Sequence, residues 1–323
     1  MNQITPDEFF ALKTKFAFIP FTQSRNWYNY MISKGENMVF FVDNILDPQI
    51  GIMGKEKKIP ILGKVLFIEG ELISDNINNE IITAFYRDII KLRYTGFEIN
   101  SIHKYSVEYE IGLRRAGFIR PISLISCPLS IIVDLNNELK YNKNWKSNIK
   151  KAKKAQLKFS RIEKPTLDDL LSFKLMYDEM AKLKNLKHTL NPKSLFKLLE
   201  GEDVRLYSVV DNNGSSVAKR IVYINKDLGS DIYAANSNEA RTNGASFYLM
   251  QSLFDELHSE GIKYFDLCRI PPSNHATDSI YIFKNSVKGI KVQYNGEWTF
   301  YHSNLKEYIM HIAKKFVAHM PRY

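Results

Sequence analysis

One order of elements, strands then helix then strand then helix, occurs twice along this chain and restricts its fold more than any single motif does. In the first pass "NMVFFVDN", "QIGIMGK" and "KVLFIEG" are short, apolar and rich in β-branched residues, which predicts strands. "NNEIITAFYRDIIKLRY" switches to helical periodicity and stops before Gly96, "FEINSIH" returns to strand, and "SVEYEIGLRRAGF" is a helix ended by Gly117. In the second pass "ISLISCPLSIIVDL" reads as a strand, followed by a lysine-rich helix and the helices "LDDLLSFKLMYDEMAKLK" and "PKSLFKLLEG". The strands "VRLYSVVDN", "SSVAKRIVYIN" and "SDIYAANS" come next, antiparallel because the turn signals "NNG" and "KDLG" separate them. A helix over 245–259, the strand "IKYFDLCRI" and the strand-like "SIYIFKNSVK" continue the series. At 323 residues the chain exceeds what one hydrophobic core usually serves, so a duplicated α+β domain is expected.

With 45% hydrophobic residues, 15 glycines and 11 prolines, the composition excludes disordered and fibrous classes. Acids in the opening "MNQITPDEFFALKTKF" stand where a signal peptide would be basic. The apolar run "ISLISCPLSIIV" is too short to span a bilayer and is broken by Pro128, so a cytoplasmic location is expected. Cys127 and Cys268 lack any CxxC or Cys/His cluster around them, which predicts free thiols and no metal. The net charge of +10 points to a polyanionic partner. It is concentrated in "NKNWKSNIKKAKKAQLKF", where Trp145, Ile149 and Ala152 share one helix face and lysines crowd the rest without an acid among them. That outer surface is either merely solvated or a phosphate-binding face, with Lys146, Lys150, Lys151, Lys153 and Lys154 as candidates for an RNA backbone or other phosphates.

The turn "RTNGAS" lies between a strand ending near Ser237 and a helix opening near Ala245. Backbone amides at such a helix start favour an anion, and glycine permits its close approach, so Arg241, Asn243, Gly244, Ala245 and Ser246 are candidate ligands for a pyrophosphate. The alternative is that Gly244 only makes the turn and its neighbours only cap the helix.

An arginine, two residues, a glycine and small residues opening a helix resemble the acyl-CoA pyrophosphate loop of the GNAT N-acetyltransferases. Ser246 stands where that family prefers glycine or alanine, and "RRAGF" (Arg114 to Phe118) is similar to a closing GNAT helix. The first half, with "LISDNINNE" at the corresponding place, has no such turn. Across nearly the whole chain, "PFTQSRNW", "IIVDL" with "WKSNIKKAKKAQLKF", "GIKYFDL" and "TDSIYIFKNSVKG" resemble the FemABX family, double-GNAT aminoacyltransferases that build peptidoglycan cross-bridges. The resemblance implies two tandem GNAT-like domains, each a mixed, mostly antiparallel sheet flanked by helices, with an active cleft between them. It places the first domain at 1–125, on the acceptor side, and the second at 126–302, carrying donor and catalytic groups. The tail "NLKEYIMHIAKKFVAHM", within 303–323, becomes a helix that returns to the first domain. It implies a reacting-centre role for Lys284, beside Phe283, and acceptor contacts for Arg220, Tyr233 and, several residues late relative to Trp27, Lys34. Family members acting on lipid-linked precursors often carry a long helical hairpin in the second domain. Here 167–199 is too short for one and is interrupted by Asn191 and Pro192, which speaks against a lipid-linked acceptor.

Acyl transfer to an amine passes through a tetrahedral oxyanion, which the Lys284 ammonium is suited to stabilise. Removal of the amine proton needs a base, for which Asp266, Asp278 and His275 are the candidates. Phe283 either stacks on an adenine or fills the core. No Ser/His/Asp arrangement, HExxH helix or Walker loop is present, so hydrolase, zinc-protease and NTPase chemistry have no support. The turn favours an acyl-CoA-dependent N-acyltransferase acting on a nucleotide-linked amino sugar or another cell-envelope precursor. The lysine face keeps an aminoacyl-tRNA-dependent transfer onto a muropeptide close behind. A third expectation is a non-catalytic GNAT-like module binding RNA or an anionic glycan. No permanent cofactor is expected, and peripheral association with a membrane is compatible with all three.

Overall fold

The computed structural model describes residues 1–122, 124–183, 189–270 and 279–317. The chain divides into two compact units, one of Met1–Leu129 with Val292–Tyr323 and one of Ser130–Lys291.

The first unit opens with β1 (Asn2–Ile4) and α1 (Pro6–Ala11), whose start is fixed by Pro6 and by a reciprocal cap between Thr5 and Glu8. Helix α2 (Arg25–Ser33), capped by Ser24, leads to the strands β2 (Asn37–Val42), β3 (Ile50–Ile59) and β4 (Gly63–Glu69), with the short β5 (Leu72–Ile73) beside β3. Helix α3 (Asn79–Ile89), capped by Asn78, then crosses to β6 (Gly96–Lys104), which runs parallel to β4, and α4 (Val107–Arg115) follows. A right-handed crossover is the usual way to join parallel neighbours, and its helix must bury one face. Ile82, Phe85, Tyr86 and Ile89 of α3 meet Ile52, Leu66 and Phe97 of the sheet and Tyr109 and Leu113 of α4 in one core.

The second unit repeats the plan. It comprises β7 (Leu129–Asp134), α5 (Lys143–Lys154), β8 (Lys158–Ile162), α6 (Leu167–Leu183), α7 (Pro192–Leu198), β9 (Val204–Val210), β10 (Ser216–Asn225) and β11 (Leu228–Asn236). After these come α8 (Ala240–Asn243), α9 (Ala245–Ser259), β12 (Tyr264–Asp266) and α10 (Ser279–Lys284). The strands lie in the order β8, β9, β10, β11, β12, β7, with β11 and β12 parallel and the other pairs antiparallel. Helix α9 is thus the counterpart of α3.

The chain then returns to the first unit as β13 (Ile290–Tyr301), antiparallel to β6, and α11 (Asn304–Val317). The first unit's sheet is therefore completed by a strand that the chain makes only after the second unit, whereas β7 opens the second unit and pairs with β12 of the same unit. Helix α11 packs Met310 against Leu62, Val65 and Tyr301. Its buried Lys314 makes ion pairs with Glu98 and, at 3.6 Å, with Glu297.

Three expectations need correction. "SIYIFKNSVK" is a helix over Ser279–Lys284 rather than a strand, because packing of Phe283 and Lys284 in different directions overrides the β-propensity of Ile280 and Ile282. The strand expected over "ISLISCPLSIIVDL" begins only at Leu129: the amides of Ile125 and Ser126 go to the Glu297 carboxylate, and Pro128 has none to give. Residues 292–301, placed by sequence with the second domain, belong to the first unit, where β13 is held by its ladder with β6.

Candidate active site

Successive residues of a helix diverge by about 100°, and α10 uses this to send Phe283 and Lys284 to different neighbours. Phe283 packs on Trp145 of α5 at 5.7 Å between ring centroids and on Phe247, in the first turn of α9, at 4.9 Å. Lys284 turns instead to the end of β12, where its Nζ donates to the carbonyls of Leu267, Cys268 and Arg269 at 2.5, 3.0 and 3.0 Å. An extended strand alternates its carbonyls and cannot aim three in a row at one atom. Cys268 breaks that alternation by adopting a left-handed conformation, φ 55°. Burial pushes the Lys284 ammonium below the ordinary lysine range; nearby Asp231 and Asp266 act against this and Arg220 adds to it.

Asp231 reaches this cluster through an irregularity in the ladder. Arg220 pairs with Ala234 and Val222 with Asp231, so residues three apart on β11 share the face of Arg220, which is possible only because Ile232 is bulged out. There Arg220 makes an ion pair with Asp231, both side chains nearly inaccessible, and its guanidinium lies 5.4 Å from the centre of the Phe283 ring. The second Asp231 oxygen, Oδ1, is buried without a hydrogen-bond partner among the described residues. Asp266, at the end of β12, accepts from the Ser130 hydroxyl and, at 2.7 Å, from the Cys268 amide.

The glycine turn is built differently from an open anion cradle. Arg241, Thr242 and Asn243 form the helical turn α8, with their amides satisfied by the carbonyls of Asn238 and Glu239. Asn243 Oδ1 caps the Ala245 amide at 3.0 Å, and Ser246 Oγ donates to Asn236 at 2.7 Å. Gly244 has φ 78°, and a Cβ there would fall 2.2 Å from the Asn148 carbonyl oxygen of α5. Its missing side chain thus admits a neighbouring backbone. On the far side of α5, Lys143, Lys146, Lys150, Lys151, Lys153 and Lys154 are all exposed, and none has an acidic partner among the described residues.

Neither a protein-family model nor a curated protein matches the sequence. Solved structures do match the fold. FemX superposes with a TM-score of 0.79 over 96% of this chain and 100% of its own, at 12% identity. L-PGS from Bacillus licheniformis gives 0.67 over 99% of both chains at 15% identity. The chain has a FemABX-like double GNAT fold. A tandem GNAT protein from the clavulanic acid biosynthesis pathway, solved without AcCoA, gives 0.55 over 93% of this chain and 98% of its own, at 9% identity.

Within this FemABX-like fold the second unit brings together Lys284, Phe283, Arg220 and Asp266 as named from sequence, and adds Asp231, which sequence reasoning missed. Tyr233 makes an edge-on contact with Tyr177 at 6.5 Å. Asp278 and His275 lie outside the described residues. In the first unit Lys34 ends α2 and sits 5.0 Å from the Tyr30 ring centre. The nearby pocket is lined instead by Lys55, with Trp27, Met31, Met53, Phe67 and Glu69. Burial pulls the Lys55 ammonium below its ordinary range, against the pull of Glu69. The signal for Lys55 was in "IGIMGKEK", where alternation puts it on the same face as the buried Met53. Among the described residues no three metal-ligating side chains come together, and no helix is long and apolar enough to cross a membrane.

Proposed function

We propose that this chain is an acyltransferase that forms an amide on the amino group of an anionic cell-envelope precursor, with an aminoacyl-tRNA as donor. The observation that carries the reaction class is the Lys284 ammonium, fixed by three consecutive carbonyls at the end of β12 beside the Arg220–Asp231 pair. In such a transfer the neutral acceptor amine attacks the donor's ester carbon. The C–N bond forms as the ester C–O bond breaks, and the amine proton ends on the departing ribose hydroxyl. Charge develops on the carbonyl oxygen in between, and a desolvated, rigidly held cation stabilises it through its positive charge, its three N–H groups being donated to carbonyls. Asp231, with a buried free oxygen, is a better-placed acceptor for the amine proton than Asp266, whose Oδ1 already takes two hydrogen bonds. Lys55 is the cation that suits the phosphates of the acceptor.

The tRNA reading is supported by the uncompensated lysines of α5, the helix that packs against α8 and α9, which carry positive charge on its outer face. It also fits the FemABX aminoacyltransferases that the sequence resembles. The acyl-CoA reading keeps one supporting observation, the exposed Arg241 at the end of α8, and the acyl-CoA-dependent variant on a nucleotide-linked amino sugar is the second proposal.

Lys284→Met is expected to lower kcat by about 100- to 1,000-fold with KM little changed, measured as transfer of labelled amino acid from a charged tRNA pool to a UDP-linked muropeptide. Its melting temperature is read alongside, because three carbonyls lose their donor. Unaltered turnover would remove Lys284 from the reacting centre, whereas tRNA binding by the unsubstituted chain without any turnover would leave a binding module as the surviving reading. Glutamine at Lys150, Lys151, Lys153 and Lys154 together is expected to flatten the salt dependence of tRNA binding by up to about four units of log–log slope. If that slope is unchanged while acetyl-CoA raises the melting temperature, and Arg241→Ala removes that protection, the donor is a CoA thioester.

A further inference from the structure

Helix α11 buries one side and carries an exposed apolar stripe on the other. Its inner side holds Met310, His311 and Lys314 against the first unit. On the outer side, at the helical spacing i, i+3, i+7, Leu305, Tyr308 and Ile312 are 68%, 61% and 38% exposed, where a surface helix ordinarily carries polar groups. Next to this stripe is the tip of the β3–β4 hairpin, Pro60-Ile61-Leu62. Leu62 shares a core with Met310, and a Cβ on Gly63 would lie 3.9 Å from the Lys306 ammonium of α11. The tip residue Ile61 is 81% exposed and has φ 69°, a conformation that a β-branched side chain adopts only at a cost and that glycine would adopt freely. A strained isoleucine presented to solvent beside an apolar helix face has no folding advantage to explain it.

We infer that the outer face of α11 and the β3–β4 tip form a docking surface for an anionic lipid bilayer. Charge selects this occupant. Lys58, beside the tip, and Lys315, beside the stripe, face solvent without an ion pair among the described residues, whereas the nearby acids are engaged: Glu307 is 3.4 Å from the buried His311, and Glu56 is held by Lys64 at 2.6 Å. A second copy of this chain across a two-fold axis would set these lysines against their own images. An anionic membrane pairs them with lipid phosphates while Ile61, Leu305 and Tyr308 enter the headgroup boundary. The surface lies wholly within the first unit and does not depend on the identity of the acyl donor.

The test is sedimentation of the full chain with vesicles, either of phosphatidylcholine alone or with about 30 mol% phosphatidylglycerol. Binding is expected only to the anionic vesicles and is expected to fall with salt. Ile61→Gly, Leu305→Ser and Tyr308→Ser combined should weaken it at least about tenfold. Lys58→Gln and Lys315→Gln should each cost about fivefold. Ile61→Gly should leave the melting temperature unchanged or higher, so its loss of binding is not a loss of fold. No binding to anionic vesicles, or equal binding by the triple variant, overturns the inference. So does a dimer of the purified chain that falls to monomer in that variant, which would give the face to a second copy. None of these measurements requires turnover, so their failure leaves the transferase reading intact.

Discussion

Replacing Gly244 by alanine is expected to lower the melting temperature of the second unit by on the order of 10 °C. Two costs combine. An alanine held at φ 78° carries about 1 to 2 kcal/mol of left-handed strain. The larger cost comes from the added carbon, which would stand 2.2 Å from a carbonyl oxygen of α5, a backbone atom that cannot rotate away. Either α5 shifts or the turn opens, adding about 1 to 3 kcal/mol. Gly214→Ala separates the two: φ is 79° there, but nothing lies within 4 Å of the new carbon, so only strain remains. Calorimetry of both variants should show a clearly smaller loss at 214. Equal losses would mean that the contact with Asn148 contributes nothing.

The second large effect is expected from Lys314→Met, a loss of about 3 to 5 kcal/mol at pH 8 in denaturant titration. The lysine is the cation shared by Glu98 and Glu297 on the sheet beneath α11, all three side chains nearly inaccessible. Burial raises the Glu98 carboxyl above its usual range even with Lys314 and the Tyr301 and Thr299 hydroxyls working against it. A carboxyl whose folded pKa is raised contributes stability that is complete below its unfolded pKa and is lost as pH rises through the folded one. Without its cation that contribution grows, so the penalty of the methionine variant should shrink as pH falls from 8 toward 5. Adding Glu98→Gln should recover part of the loss at pH 8. A penalty independent of pH would show that the ion pairs are not its source.

The sequence made the two-part α+β plan readable because each unit is dominated by local signals. The turns "NNG" and "KDLG" join paired strands, and Gly117 follows the end of α4 with a positive φ, although α3 stops at Ile89, well before Gly96, which opens β6. The Lys284 pair was visible as a motif, but its environment was not. Ile280 to Phe283 read as strand since β-branched and aromatic residues report packing as much as backbone preference. Asp231 was hidden because its approach to Arg220 depends on a one-residue bulge, which shifts every later side chain across the sheet and has no mark in "SDIYAAN". Gly244 announced its conformation but not its neighbour: Asn148 is nearly a hundred residues earlier. The strand 290–301 went unread for the same reason, since its partner β6 is contributed by the opposite end of the chain.

The late arrival of β13 has a consequence for biosynthesis. The later-made unit, 130–291, is one unbroken segment, whereas the earlier-made one is completed only by residues from 292 onward. Domains usually mature in the order in which they leave the ribosome. Here the half that emerges first must wait with the β6 edge unpaired until β13 arrives, so chains truncated near residue 290 and released should present a finished C-terminal half and an unfinished N-terminal one, with chaperone demand falling on the latter.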